Sequence, residues 1–591
     1  MHPIAALNRV IRTDGFVIAT LSILSGAPGS RASEVSFHKV ALTGEAAPGT
    51  ETGTVFATFT TPLNHSIMRP AIDELGNVAF IALLAGPAVD DSNRSGIWSD
   101  AAGPLGLVVR TGMPAPGTPP GIVFSGVPSE YLPFPPKLGG GHVAFAGELS
   151  GPGITFANQF GVWAQQSDPV VLIARNGDPA PGQPAGVLFG QASLFGIDSQ
   201  AHTQLTASLF GAGITTANNE SIWSNRSGAL EAIVREGDPA PGTPPGVVIG
   251  LGTFGTSSTF PRIAFNKESR LFVAANLLGP DVDAFNDEGL FLEDETGVLT
   301  LLAREGDPAP GGGQGVTYGG GSVLTMFDGL SINALGQVAF SCRLGGAIPT
   351  TPVTYTTVTG ELELLVLSGD PAPPAFGAPI LSDAGKLAVV GFVPDGDNDF
   401  HTVTTGIWWD QLGTMAPLVL PGDTVAHPLG DLTVHSAGQI IGFGSTGVLA
   451  FRAALNTGAG NPIFSLLLAD PQGGLHHVVG TGELFDVAGD GSDLREIVRI
   501  EPGGLSDGGR VAFRLDFTDG SSGHFTAQLE ASGDADADGD VDLADYALLA
   551  ACLTGPNSGP AQPSCATFDF EPDADIDLRD SAAFTNTFSG Q

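Results

Sequence analysis

Short runs of apolar residues alternate with polar turns along most of the chain, and the three- and four-residue apolar spacing of an amphipathic helix is missing between them. One complete unit begins at Ser66-Ile67-Met68-Arg69-Pro70-Ala71-Ile72-Asp73, turns through Glu74-Leu75-Gly76, and continues as Asn77-Val78-Ala79-Phe80-Ile81-Ala82-Leu83-Leu84. This reads as a β-hairpin. Its turn opens on a residue with a side-chain acceptor and places glycine three residues later, where a permissive φ is needed. A loop rich in Gly, Asp and Asn follows, then a third strand at Gly96-Ile97-Trp98-Ser99 and a fourth from Leu105 to Arg110.

The unit recurs. Glycines of the turn motif exemplified by Arg235-Glu236-Gly237-Asp238-Pro239-Ala240-Pro241-Gly242 fall at Gly44, Gly112, Gly177, Gly237, Gly306, Gly369, Gly422 and Gly482, with gaps of 68, 65, 60, 69, 63, 53 and 60 residues. The fourth position of the hairpin motif, clearest in Asn333-Ala334-Leu335-Gly336-Gln337-Val338-Ala339-Phe340, keeps step at 76, 141, 201, 269, 336, 385, 447 and 509. Hairpin openers are Asp73, Asp198, Asn266, Asn333, Ser382 and Ser506; Leu138 and Gly444 depart from the rule, and Ala201 and Ser269 stand where glycine is expected. Four strands per roughly sixty residues is the sequence form of a β-propeller blade. The first turn motif has no hairpin before it, and the last hairpin has no fourth strand after Phe525. Residues 35 to 44 are therefore expected to complete the blade of residues 500 to 530, closing an all-β, eight-bladed ring of four-stranded blades over residues 33–531 without an open sheet edge.

The hairpin motif resembles the Asp-Gly turn repeat of WD40-like propellers of the TolB type. More specifically, residues 35 to 530 resemble the NxxGxxAF repeats of secreted bacterial proteins that carry interchangeable C-terminal anchors. That resemblance implies a fold and an extracellular or cell-surface location, and no chemistry.

Composition narrows the partners. With 62 Asp plus Glu against 23 Lys plus Arg, the formal net charge is -39, which argues against nucleic acid and anionic membranes. Residues 1–32, with Arg9, Arg12, the apolar run Phe16 to Leu24 and small residues up to Ala32, read as a signal peptide. No later stretch is long and apolar enough to span a membrane. Of the three cysteines, Cys552 and Cys565 are placed to form a disulfide in an exported chain, and Cys342 reads as a buried thiol.

Each repeat carries an aromatic residue in its third strand: Trp98, Trp163, Trp223, Phe291, Tyr355, Trp408, Phe464 and Phe525. Recurrence in every blade is what packing between blades requires. Trp409 has no counterpart and points to the opposite side, which makes it a candidate exposed platform for a ligand. The arginines before the turn motif (Arg110, Arg175, Arg235, Arg304) and the aspartates within it (Asp178, Asp238, Asp307, Asp370, Asp423) read as scaffold, pairing and capping locally. Function is sought in the loops between second and third strands, where Asp90-Asp91, Asp281, Asp283, Asn286, Asp287, Glu288, and Asp395, Asp397, Asp399 with His401 lie. Such groups suit a ligand face, a metal, or the paired carboxylates of a glycosidase.

The last segment, residues 532–591, carries oxygen ligands at calcium-loop spacing: Asp534, Asp536, Asp538, Asp540 through its carbonyl, Asp542 and Asp545, with Gly539 at the sharp turn. The pattern returns as Asp569, Glu571, Asp573, Asp575, Asp577 and Asp580, with Ala574 in place of the turn glycine. Each loop leads into a helical run, from Tyr546 to Leu553 and from Ala582 to Phe588. This duplicated loop-helix resembles a type I dockerin, a paired EF-hand-type module, which implies Ca2+ and a cohesin-like or cell-surface partner. The recognition positions of that family are here Leu543-Ala544 and Leu578-Arg579, unlike its usual Ser-Thr type pair, so calcium is better supported than a cohesin. The expected protein is an exported, non-enzymatic binding or surface protein, with carbohydrate as a candidate propeller ligand. The alternative is a polysaccharide-degrading enzyme, a glycoside hydrolase or lyase, targeted by the same module.

Overall fold

A computed structural model describes residues 35–59, 68–126, 135–165, 169–251, 262–319, 327–346, 351–365, 379–393, 404–411, 414–428, 430–458, 462–529, 543–555, 565, 568 and 576–587. Eight antiparallel sheets follow one another along the chain. The first blade runs from Val55–Thr58 to Gly106–Arg110, the second from Val123–Gly126 to Val171–Arg175, and the third from Leu188–Ile197 to Glu231–Arg235. Blades four to seven end on Leu299–Arg304, Glu363–Leu365, Thr414–Val419 and Leu475–Gly480. The eighth contains Leu484–Asp486, Leu494–Leu505, Val511–Phe517 and Ser522–Leu529, and Val35–Leu42 is its outermost strand. Val35 pairs with Leu529 and Leu42 with Gly523, the closure expected from the unmatched ends.

Local chemistry forms the hairpins as the motif implies. Asp73 Oδ1 accepts the amides of Leu75 (3.1 Å) and Asn77 (2.9 Å), and Gly76 sits at φ 88°. Ala201 and Ser269 occupy the glycine position at φ 67° and 61°, a left-handed backbone that costs such residues energy. The turn motif is the connection between blades: the Gly237 amide donates to Ile249 O in the next blade (2.8 Å), while Asp238 Oδ2 accepts the Arg235 amide (2.8 Å).

Packing explains why the ring is stable. Each of the eight interfaces between neighbouring blades holds one apolar cluster drawn from both, including that between blades eight and one, where Ala41 and Ala512 meet Phe56, Phe80 and Trp98. Both faces of every blade are therefore buried. Seven of the eight strand-three aromatics are buried at these interfaces, and Trp98 and Trp163 also donate Nε1–H to the carbonyls of Pro48 and Pro116 in the preceding connection (3.0 Å each). Phe464 differs, being 54% exposed beneath Arg452; the structure places Leu467 opposite Phe451, where the other blades carry their ring.

Among the described C-terminal residues are two helices, Leu543–Cys552 and Leu578–Thr587, and a Cys552–Cys565 disulfide. Leu549, Phe568, Ile576 and Phe584 form a small core. No helix among the described residues is long and apolar enough to cross a membrane. Cys342 is buried, and burial pushes its thiol well above the usual range.

Candidate functional site

The two ends of the ring differ. At one end the hairpin turns lace together: Gly140 and Gly141 donate to Glu74 (2.9 Å) and Asp73 (2.7 Å), and Asn266 and Asn333 reach the next turns. Lys267 of blade four spans the axis to Asp383 of blade six (2.9 Å) and Asp507 of blade eight (3.3 Å). Burial alone would lower the Lys267 pKa, but the two carboxylates outweigh it and hold the ammonium charged.

The other end carries the loops between second and third strands, and four of them share one construction. Asn93, Asn158, Asn218 and Asn286 each accept the amide three residues earlier and donate to the carbonyl five residues earlier. Asp90 and Asp283 cap these turns by accepting the amides of Ser92 and Phe285, a task the Thr215 hydroxyl performs in its blade, so these two aspartates belong to the loop scaffold. The arginines behave similarly. Arg235 Nε donates to Asn218 O (2.8 Å), Arg304 Nε to Asn286 O (3.1 Å), Arg110 pairs with Glu51 (2.7 Å) and Arg175 with Asp178 (2.6 Å). Each lies on its own blade's outermost strand, so they do not converge.

Between blades two and three this end opens into a cavity of about 730 Å³ lined by Glu148, Phe156, Gln159, Phe160, Asn176, Gln191 and Phe210, among others. Phe156 is 82% exposed and meets the buried Phe160 edge to face at 6.4 Å between ring centres. Gln159 Nε2 donates to Glu148 Oε1 (3.3 Å) on the cavity wall. Exposed rings beside amide and carboxylate tips form a surface on which an amphipathic ligand can both stack and hydrogen-bond. No single repeat signals this cleft, because its lining comes from two blades. In blade four the positions matching Gln159 and Asn176 are Asp287 and Glu305; burial and the neighbouring Asp287 carboxyl push the Glu305 pKa upward.

Besides Phe464, the structure corrects a second expectation and leaves others untouched. Trp409 is not an exposed platform: it is 2% exposed and stacks on Phe443 in the cluster between blades six and seven. Asp395, Asp397, Asp399 and His401 lie outside the described residues, as do Asp534, Asp536, Asp538, Asp540, Asp542, Asp569, Glu571, Asp573 and Asp575. Asp545 and Asp580, twelfth in each calcium-spaced loop, are 0% and 1% exposed in the first turns of the two helices, and Asp580 Oδ2 accepts the Asp577 amide (2.8 Å).

Among solved structures the chain is similar to TolB from Acinetobacter baumannii, at 12% identity over 66% of this chain and 80% of that one with a TM-score of 0.23. It is also similar to the β-propeller domain of the trilobed protease from Pyrococcus furiosus (11%, 66% and 93%, TM-score 0.32) and to α-L-arabinanase from Penicillium chrysogenum (13%, 57% and 92%, TM-score 0.25). Likenesses this distant carry no functional argument. No curated protein matches the chain in sequence. A family model described as "Family of unknown function (DUF7453)" matches residues 30–353 and 349–531, the whole ring, and the chain belongs to that family.

Proposed function

We propose that the protein is an exported, non-enzymatic binding protein whose propeller captures carbohydrate in the cleft between blades two and three. The observation that supports this is the pairing of the exposed Phe156 ring with the Glu148, Gln159 and Asn176 side chains around one cavity. A ring stacked on the C–H face of a sugar and amides bonded to its hydroxyls use both kinds of surface present. On a glycan array Phe156→Ala is expected to lower affinity about tenfold, equivalent to ~1.4 kcal/mol, without altering the melting temperature. Binding unchanged by that substitution, or release of reducing sugar by the intact protein, would overturn the reading. The enzymatic alternative has Asp287 and Glu305 as its acid–base candidates, since burial and the neighbouring Asp287 carboxyl push the Glu305 pKa up to about 7, where a general acid works.

In the same proposal residues 1–32 direct export and residues 532–591 are a dockerin-like attachment module that binds Ca2+. Two carboxylates as buried as Asp545 and Asp580, in so small a module, fit a bound cation that offsets their charge. Asp534, Asp536, Asp538, Asp540, Asp542 and Asp545 would hold one ion, and Asp569, Glu571, Asp573, Asp575, Asp577 and Asp580 a weaker one. Chelation is expected to make this segment protease-sensitive while the ring persists, since ligand carboxylates left without metal repel one another. Asp545→Ala should cost more calcium affinity than Asp580→Ala by calorimetry. Two equally tight sites, or none, would refute the assignment.

A further inference from the structure

Aligning blade seven with the other repeats exposes three coordinated departures. Residues 422–434 match 237–249 without a gap, since Gly422 donates to Val434 O as Gly237 does to Ile249 O. By count this puts His427 where other connections carry Gly49, Gly117, Gly242 and Gly311, positions at which an added Cβ would meet the Cβ of Leu107, Leu172, Leu301 or Leu364 within 2.6–3.1 Å; those glycines sit at φ 71–78°, whereas His427 does not have a positive φ, so the connection turns differently here. The residue matching those leucines is His477, which faces Leu467 as Leu172 faces Trp163. Leu467 itself stands in for the blade's aromatic ring. Finally, Glu483 stands at the turn aspartate's position, as Glu45 does in the first copy: its Oε2 accepts the Gly480 amide (2.9 Å), keeping the capping role of Asp238 and Glu45, and leaves Oε1 for other use.

The three departures act together with Glu483. Loss of the large ring opens space at the connection, and the two imidazoles fill it, perpendicular with centres 4.3 Å apart. His477 Nε2 lies 2.9 Å from Glu483 Oε1, and His427 Nε2 contacts the same oxygen. The three atoms lie within 4.8 Å of one another. The side chains of His427, His477 and Glu483 are 0%, 6% and 11% exposed, and no hydrogen bond of proper angle satisfies His477 Nε2 or Glu483 Oε1. Buried polar atoms aimed at a common point without hydrogen bonds call for an explanation.

We propose that His427, His477 and Glu483 form a binding site for a divalent transition-metal ion, zinc by donor type, that clips the two connections flanking blade seven to its outermost strand in place of the aromatic anchor. Two imidazole nitrogens and one carboxylate oxygen make a three-ligand set that zinc accepts with a fourth position for water. Calcium and magnesium prefer oxygen throughout, so the site is chemically distinct from the C-terminal aspartate loops.

The test is zinc titration of the full, chelator-stripped chain in excess Ca2+, followed by calorimetry and by thermal unfolding. One equivalent of Zn2+ per chain and a higher melting temperature are expected. In Glu483→Gln, which keeps size and turn cap, and in His427→Gly/His477→Leu, which restores the residues of blade two, affinity should fall by about a hundredfold or more, exceeding the loss that outer-shell partners alone cause. Circular dichroism of the metal-free variants establishes that they fold. Absence of zinc uptake by the parent chain, or undiminished uptake by folded Glu483→Gln, would overturn the assignment.

Discussion

Deleting residues 35–46 is expected to abolish the cooperative unfolding of the whole ring. Val35–Leu42 forms an antiparallel ladder with Ser522–Leu529, interrupted by one bulge between Lys39 and Ala41, buries Ala41 and Leu42, and is followed by a clasp in which the Thr43 amide and hydroxyl both donate to Ser522 O (2.9 and 2.7 Å). Removing Leu42 alone forfeits about 1.5–3 kcal/mol of apolar burial. Each lost ladder bond removes about 1 kcal/mol more. Their sum is comparable to the roughly 5–15 kcal/mol that keeps a typical domain folded, and the deletion also bares the edge of Ser522–Leu529 to aggregation. Chemical denaturation of the truncated chain measures this. A midpoint equal to the parent's would rule out the clasp as a stability element.

The second large effect concerns the buried ring of indoles. Trp163→Ala is expected to cost about 3–5 kcal/mol through the cavity it leaves. Its indole is 0% exposed, meets Phe124 edge to face at 4.9 Å, stacks over Phe145 at 6.2 Å, and bonds the Pro116 carbonyl. Trp163→Phe separates packing from polarity, since it keeps a ring between the same neighbours and loses mainly the hydrogen bond, about 1 kcal/mol. Equal losses for the two variants by urea denaturation would mean that the Pro116 bond, and not the packing, holds the connection.

Features made by nearby residues were legible in the chain. The openers at Asp73, Asp198, Asn266 and Asn333 bond their own turns, so a four-residue motif was enough to place the hairpins. The closing strand was legible because two incomplete ends complement each other. Trp409 misled for a physical reason: alternation correctly sets it opposite Trp408, but each blade is buried on both faces, so the opposite side meets blade seven instead of water. Phe464 misled because spacing alone located an aromatic, while pairing shows Leu467 in the ring's place. The cleft beside Phe156 needs two blades in contact, which no repeat consensus encodes. His427 and His477 are different, since aligning the copies against one another marks both as departures before any geometry is known, while Glu483 shares its residue type with Glu45 and is singled out only by its contacts.

Pairing of the first and last strands also decides how the molecule bears load. Because Val35–Leu42 covers its outer side, Ser522–Leu529 is an interior strand with a ladder on each flank. A pull applied to the chain beyond Leu529 runs along that strand and must shear both ladders at once. A ring closed without the clasp would present an edge strand and one ladder. The same eight residues that finish the last sheet thus set the mechanical strength of the junction, a quantity governed by the unfolding barrier and not by equilibrium stability.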